Sequence, residues 1–288
     1  KDHMLVAAMM AAVILFLVRY IRSGGLRDAA LGFAFTGLLA WARPEVGLVV
    51  FIFAALYFIG YQASRGLLRR PARDMAKVLT TPLAMLIGAI PLFINNIIVT
   101  GNPVVPPFYV YQSSIWREGA AGEFIGSAEP IGDLIQAVQA PSGGVEGFVS
   151  MATRHFSPSW STLPGDVFGV LFAPASGNMS LVAVSPLIVI ALLVIPIIYL
   201  GYRKGERSPD LAVVVFLAVM ACAVWIAYTR SLPGLNTSGG IVPDIRYLSP
   251  LYLPVGLLGV YGIRRLGGAD SKRMALSQIG AIAVLTPA

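Results

Sequence analysis

Charged residues are scarce in this chain of 288 residues: they make up 12% of it, where a soluble globular domain carries about 25%. Apolar residues account for 57%, and the mean hydropathy is +0.77. This balance excludes a disordered chain and favours a polytopic membrane protein. The chain also has a single cysteine, Cys222, which excludes an intrachain disulfide and a thiolate metal cluster.

Several motifs of well-known enzyme classes are missing too. There is no Gly-rich phosphate loop, no HExxH and no GxSxG, so soluble-type ATPases, zinc proteases and serine hydrolases lack their residues here. The two histidines, His3 and His155, are far apart in sequence and do not indicate a metal site. No ionisable residue lies in the middle of a long apolar run, and the hydropathy shows no inverted repeat. Both absences argue against an ion-coupled transporter.

Long uncharged runs predict the membrane-spanning helices, because a bilayer core of about 30 Å needs roughly 20 helical residues. A single helix over 29–64 would be too long, and Pro44 disfavours helix at Arg43, so we expect two helices that meet there at a tight turn. We predict an all-α polytopic membrane protein with seven transmembrane helices and a truncated eighth from about Met274. The seven runs are 4–18, 29–42, 46–64, 78–99, 179–202, 211–229 and 247–263.

Basic residues predict the orientation of these spans. If the spans alternate in direction, fifteen of the 21 Lys and Arg fall in one set of connections, together with five of the 14 acidic residues. The positive-inside rule places that set in the cytoplasm. The arginine cluster at 65–73 is therefore interpreted as a topogenic loop, and nucleic acid is not expected as a partner.

The longest connection, 100–178, falls on the outer face in this arrangement. It is rich in Gly, Pro, Ser and aromatic residues, and long loops in compact proteins are usually functional. Short helices on the membrane surface are expected in it, at 133–140 and 145–156. The predicted regions are thus helices 1–4 in 1–99, this outer loop region in 100–178, and helices 5–7 with the start of the eighth in 179–288.

A few polar residues at the outer face could carry chemistry. Asp2 precedes the first span, where a carboxylate could act as a base or bind a metal, or could simply sit at a helix N-terminus. Arg246 and Tyr247 open the seventh span, where an arginine could bind a lipid phosphate or only snorkel to the interface. Arg43 could contribute to the same site, or could pair with Glu45 across the turn.

Four segments in order resemble the GT-C superfamily, the membrane glycosyltransferases that use polyprenyl-phosphate sugars. They match patterns that surround an Arg-Pro-Glu turn, an Asn followed by Gly-Asn-Pro, a Ser-Pro entry into a helix, and a Gly-Gly…Arg-Tyr-Leu entry into a late helix. The similarity is greatest to bacterial and archaeal relatives of protein O-mannosyltransferases and of lipid-A-modifying sugar transferases. The segments are 31–51, 94–108, 171–190 and 238–254.

The resemblance implies an inverting, hexosyltransferase-like reaction in glycosylation of the cell envelope. A sugar would pass from a polyprenyl-phosphate donor to a lipid, glycan or protein acceptor on the periplasmic or extracellular face. Asp2 would occupy the place of a second acidic residue, the principal one lying upstream. Arg246 and Tyr247 would bind the donor phosphate, with Arg43 and Arg154 as further candidates. The resemblance leaves the use of a divalent metal open.

Two other functions fit the same sequence: a transporter or flippase for lipid-linked glycans, and a non-catalytic membrane scaffold subunit. The chain begins at Lys1 and stops at Ala288 within a further apolar stretch. We therefore expect a fragment of a longer multi-pass cell-membrane protein, one that is inactive alone.

Overall fold

A computed structural model describes residues 2–69, 71–103, 107, 161–172, 180–205, 208–228 and 248–267, and in these residues all regular secondary structure is helical. Short 3-10 turns at Leu67–Arg69 and Thr81–Leu83 flank the fourth helix. The α-helices are α1 (Asp2–Ser23), α2 (Leu26–Ala42), α3 (Pro44–Ser64), α4 (Ala72–Thr80), α5 (Ala84–Gly88), α6 (Ile90–Thr100), α7 (Leu163–Leu171), α8 (Leu181–Val184), α9 (Leu187–Arg203), α10 (Pro209–Tyr228) and α11 (Ser249–Gly267).

The turn between α2 and α3 confirms that the run 29–64 forms two helices. Arg43 is extended, with φ −150° and ψ 95°, and Pro44 is the first residue of α3. A proline disfavours helix in the residue before it and is well tolerated in a first helical turn. Gly47 then lets α3 fold back onto α2, because a Cβ there would collide with the backbone of Ala40.

Polar contacts at one end of the bundle establish the directions of α1, α2, α3 and α10. Arg19 of α1 pairs with Asp28 at the start of α2, and Arg22 pairs with Asp210 at the start of α10. Tyr61 near the end of α3 donates to the carbonyl of Ile21, at 3.2 Å. Each contact joins the end of one helix to the beginning or end of its neighbour, so α1 and α3 run one way and α2 and α10 the other.

The remaining long helices share the direction of α1. The hydroxyl of Ser249, the first residue of α11, donates to the carbonyl of His3 near the start of α1, at 3.2 Å. A Cβ at Gly259 would lie 3.1 Å from the Leu187 side chain, and one at Gly262 would lie 3.3 Å from that of Ile190. From Leu187 to Ile190 along α9, the neighbour on α11 changes from Gly259 to Gly262. The residue numbers therefore increase in the same direction, and α9 and α11 are parallel.

These directions separate the charges along the bundle. We call the end that holds the last turns of α1, α3 and α9 the basic end, and the other the opposite end. The basic end carries most of the cations of the described residues, whereas Arg43 lies at the opposite end. The basic-end cations are Arg19, Arg22, Arg27, Arg65, Arg69, Arg73, Lys77, Arg203, Lys204 and Arg264.

Two of the predicted spans are broken. The run 78–99 was predicted as one helix, but it is bent by 42° between Ala72–Gly88 and Ile90–Thr100. The run 179–202 is divided into α8 and α9 at Ser185, which has φ −141° and ψ 79° and precedes Pro186. The steric rule that separates α2 from α3 acts at Ser185 as well.

Apolar helices of membrane-spanning length are present, as a polytopic membrane protein requires. By length and composition, His3–Ser23, Pro44–Ser64 and Pro209–Tyr228 could each cross a bilayer, and the bent pair in 72–100 could make a fourth. Large apolar side chains such as Leu56, Ile87 and Ile98 are more than 60% exposed on the bundle surface, as expected of side chains that face lipid. The predicted eighth helix lies outside the described residues.

A close crossing joins α2 to α5. A Cβ at Gly37 would strike the backbone of Met85, Gly88 and Ala89, and a Cβ at Gly88 would strike the backbone of Ala34. Small residues commonly allow such close approach in membrane helix pairs, where dispersion contacts provide much of the association energy. The crossing holds the bent α5–α6 segment against α2.

Substitution of Gly37 by alanine should destabilise the protein, because the obstructing atoms are backbone and cannot rotate away. We expect a loss of about 1–3 kcal/mol in the free energy of unfolding. Gly60→Ala is the matched control, since Gly60 is helical and a Cβ there meets nothing within 4 Å. Thermal unfolding in detergent measures both variants, and equal midpoints would contradict the close crossing.

Candidate functional site

At the opposite end, the beginnings of α1 and α11 lie beside each other, and each adjoins residues that the sequence marks for chemistry. Asp2 is the first residue of α1, and the carbonyl of the next residue, His3, accepts the hydrogen bond from Ser249. Ser249 follows Arg246 and Tyr247 closely in sequence, although those two residues and Arg154 lie outside the described residues. The beginnings of α1 and α11 are therefore neighbours, as a site that uses both segments requires.

Arg43 is engaged within its own turn. Its guanidinium lies 3.7 Å from the carboxylate of Glu45, and the two side chains are only 20% and 26% exposed. This is the pairing across the turn that the sequence left open. Partial burial makes such a pair less screened than a surface ion pair. A phosphate-binding role for Arg43 stays a prediction and would require this pair to be shared or broken.

The end of α6 holds a polar network. It lies in the segment 94–108, which the sequence marks only by its resemblance to GT-C enzymes. The Asn96 amide donates to the carbonyl of Pro103 at 2.8 Å, and the Thr100 hydroxyl donates to the carbonyl of Asn96 at 2.8 Å. Gly101 closes the helix in the left-handed conformation, with φ +73°. The sequence Asn-Ile-Ile-Val-Thr-Gly-Asn-Pro thus ends a helix, and this structural role alone can account for its residues.

Asn96 also has a feature that the sequence did not reveal. Its side chain is 1% exposed, and its Oδ1 atom has no hydrogen-bond partner in the described part of the chain. A buried acceptor of this kind costs about 1–3 kcal/mol when it is left unpaired. The available signal was a polar residue inside an apolar run. Asn95, its exposed neighbour, gives the same signal, so the sequence could not select between the two.

The break between α8 and α9 lies deep in the bundle. Leu187 packs beside Gly259, and the path along α11 from Ser249 to Gly259 is about 15 Å, half the thickness of a bilayer core. Non-helical backbone at that depth is tolerated only inside protein or beside water. Leu181, at the start of α8, is fully buried and belongs to the hydrophobic core.

The predicted outer region 100–178 is described only in part. The short helix α7 belongs to it and packs Leu163, Val167 and Leu171 against the hydrophobic core. The two surface helices predicted at 133–140 and 145–156 lie outside the described residues. Within the part of the chain that is described, no group of three or more His, Cys, Asp or Glu side chains could hold a metal ion. We therefore assign no metal ligand.

Comparison with known proteins adds no relative to these observations. No family model matches the chain, and no curated protein or solved structure matches it significantly. The resemblance to GT-C enzymes consequently depends on the four sequence segments and is carried forward as part of a proposal.

Replacement of Gly101 by alanine tests the ending of α6. A side chain would have open space there, so the cost of about 1–2 kcal/mol would come from the left-handed conformation alone. Gly101→Asn should recover part of the loss, because asparagine tolerates this conformation. Gly165→Ala serves as control, since Gly165 is helical and also has open space. Unfolding midpoints that are equal for all three variants would exclude the αL ending.

Proposed function

We propose that this protein is an integral membrane glycosyltransferase that moves a sugar from a polyprenyl-phosphate donor to an acceptor on the outer face of the cell membrane. In this proposal the chain crosses the membrane seven times and begins an eighth crossing. The basic end faces the cytoplasm, and the opposite end, with the 100–178 region, faces the extracytoplasmic space.

The observation that carries the proposal is the contact between the beginnings of α1 and α11. The hydrogen bond from Ser249 to His3 joins the helix that starts at Asp2 to the helix that follows Arg246 and Tyr247. A glycosyltransferase of this kind needs a base for the acceptor and a cation for the leaving phosphate within one site. In this proposal Asp2 is the base, and Arg246, three residues before Ser249, is the cation.

The charge distribution supports the orientation. The described cations lie mostly at the basic end, as the positive-inside rule expects of a cytoplasmic surface. A lipid-linked sugar phosphate in the outer leaflet would then meet the end that has fewer competing cations. No nucleotide is needed at this end, which agrees with the lack of a phosphate-binding loop in the sequence.

The proposed reaction is a single displacement with inversion. A carboxylate, for which Asp2 is the candidate in this chain, takes the proton of the acceptor hydroxyl. The acceptor oxygen forms a bond to the anomeric carbon, while the bond from that carbon to the phosphate oxygen breaks. Polyprenyl phosphate leaves with the electron pair. Arg246 stabilises its charge through a two-point hydrogen bond, and Tyr247 donates a further one.

The break between α8 and α9 favours one rival function. Discontinuous helices near the midplane are typical of transporter binding sites, and Leu187 lies at about that depth. A flippase for lipid-linked glycans would use the same donor without cleaving it. The described buried polar side chains, Thr36, Gln62 and Asn96, are not ionisable, which supports uncoupled lipid handling rather than ion-coupled transport. A scaffold subunit would show neither activity.

An assay of sugar transfer separates these functions. In membranes that contain the unaltered protein, we expect radiolabelled sugar to be transferred from a polyprenyl-phosphate donor to an endogenous acceptor. Arg246→Ala should lower kcat by about 100-fold, the loss typical of one removed oxyanion donor. Arg246→Lys should recover only part of it, because lysine cannot make the two-point contact.

The control for this assay is Arg264→Ala, which removes an arginine at the basic end and should leave transfer unchanged. No transfer by the unaltered protein, together with flipping of a fluorescent lipid-linked sugar in proteoliposomes, would favour the flippase. Neither activity would favour the scaffold. Full transfer by Arg246→Ala would remove Arg246 from the mechanism.

Cysteine labelling tests the orientation independently. In a Cys222→Ser background, Thr162→Cys should react with a membrane-impermeant maleimide on intact cells. Lys204→Cys should react only after the membrane is permeabilised. Both residues are exposed, so differences in labelling report the side of the membrane. The reverse pattern would overturn the orientation.

A further inference from the structure

We propose that the segment Arg65–Thr80, which contains α4 and is called here the α4 segment, docks on anionic phospholipid headgroups at the basic end of the bundle. The proposal is independent of the enzymatic one, because it concerns the other side of the membrane.

The position of α4 follows from helix length. The bent pair that runs from Ala72 to Thr100 extends for about 40 Å, even with its 42° bend, whereas the hydrocarbon core is about 30 Å thick. The excess corresponds to the length of α4. Because α5 and α6 are apolar and α4 carries Arg73, Asp74 and Lys77, α4 is the part that extends into the headgroup layer.

The charges of the α4 segment match an anionic surface. Asp74 is already paired with Lys77, at 3.0 Å. Arg69 and Arg73 are exposed, and neither guanidinium has a hydrogen bond or ion pair within the described residues. Arg70 adds a further positive charge by sequence. The segment therefore presents uncompensated cations where lipid phosphates would lie.

Exposed leucines accompany these cations. Leu68 is 82% exposed, while its neighbour Leu67 is only 3% exposed and is part of the hydrophobic core. At the C-terminal end of α4, Leu79 is 46% exposed, and Leu83, in the 3-10 turn that follows, is 57% exposed. Their exposed surface continues into that of Leu86 and Ile87 on α5. The apolar surface thus extends from the spanning region to the cations, as in interfacial helices.

The continuous apolar surface beside the cations favours a membrane over other acidic partners. A protein or nucleic-acid partner would have to cover Arg69 and Arg73 and also the leucines beside them. Those leucines are continuous with a surface that faces hydrocarbon. A phospholipid satisfies both at once, because its phosphate reaches the guanidinium groups while its acyl chains contact Leu68 and Leu79.

Fluorescence quenching in vesicles tests the proposal on the whole chain. A fluorophore attached to Ala76→Cys, in a Cys222→Ser background, reports the lipids around exposed Ala76. The vesicles are mainly phosphatidylcholine and contain a minor share of lipid brominated near the headgroup end of its chains. We expect brominated phosphatidylglycerol to quench about fivefold more than brominated phosphatidylcholine, the preference that one unpaired cation near the surface provides.

Matched variants decide which charges are responsible. Arg69→Gln with Arg73→Gln should lower the preference for phosphatidylglycerol severalfold, because only Arg65 and Arg70 then remain as uncompensated cations of the segment. Arg69→Lys with Arg73→Lys should retain the full preference. Asp74→Asn with Lys77→Gln removes a mutually paired cation and anion and should also retain it. Size-exclusion chromatography checks that each variant is folded.

Three results would overturn the proposal. The two brominated lipids could quench equally, the preference could be unchanged by neutralisation of Arg69 and Arg73, or neither lipid could quench. The last result would place α4 away from the membrane surface and would fit a partner protein or nucleic acid instead.

Discussion

The direction of each helix is the constraint on which the other features of this structure depend. A few contacts show it: Arg19 with Asp28, Tyr61 with the Ile21 carbonyl, and Tyr57 with the Ala212 carbonyl at 2.6 Å. The tyrosine hydroxyls supply hydrogen bonds between helices in an apolar setting, where an unsatisfied polar group would be costly. With these directions, the last turns of α1 and α3 and the first turns of α2 and α10 lie together at the basic end, where Arg19 and Arg22 pair with Asp28 and Asp210.

Two helix interruptions are located by prolines, at Pro44 and Pro186. Pro44 allows a hairpin between α2 and α3 near the surface, where Arg43 and Glu45 pair and remain partly accessible. Pro186 acts through the same restriction on its preceding residue, but it lies about halfway along α11. The two breaks have the same steric cause, but they lie at different positions along the bundle. At the Pro186 break the N–H of Ser185 donates to the carbonyl of Leu181 at 2.8 Å, and the N–H of Ile188 donates to the carbonyl of Ser185 at 3.0 Å, so local turns satisfy these groups.

The candidate site stays a prediction from the sequence. Asp2, Arg246 and Tyr247 were chosen because they flank spans on the same predicted face, and the hydrogen bond between Ser249 and His3 brings the helices beside them together. Arg43 was left with two interpretations, and the geometry favours the ion pair with Glu45. The buried Asn96 was not chosen, because burial depends on which face of α6 meets its neighbours. An apolar pattern that surrounds two adjacent asparagines carries no such information.

The sequence by itself determined the helical, membrane-compatible character of the chain, the separation of its charges and the break at Pro44. These properties follow from composition and from steric rules that act between adjacent residues. The tertiary structure alone decided which backbone lies against Gly37, which residue of α11 lies beside the break at Pro186, and that Asn96 rather than Asn95 is buried. Those features depend on contacts between helices distant in sequence, where a glycine admits a neighbouring backbone or a hydroxyl finds a carbonyl. No local pattern specifies which helix will be there.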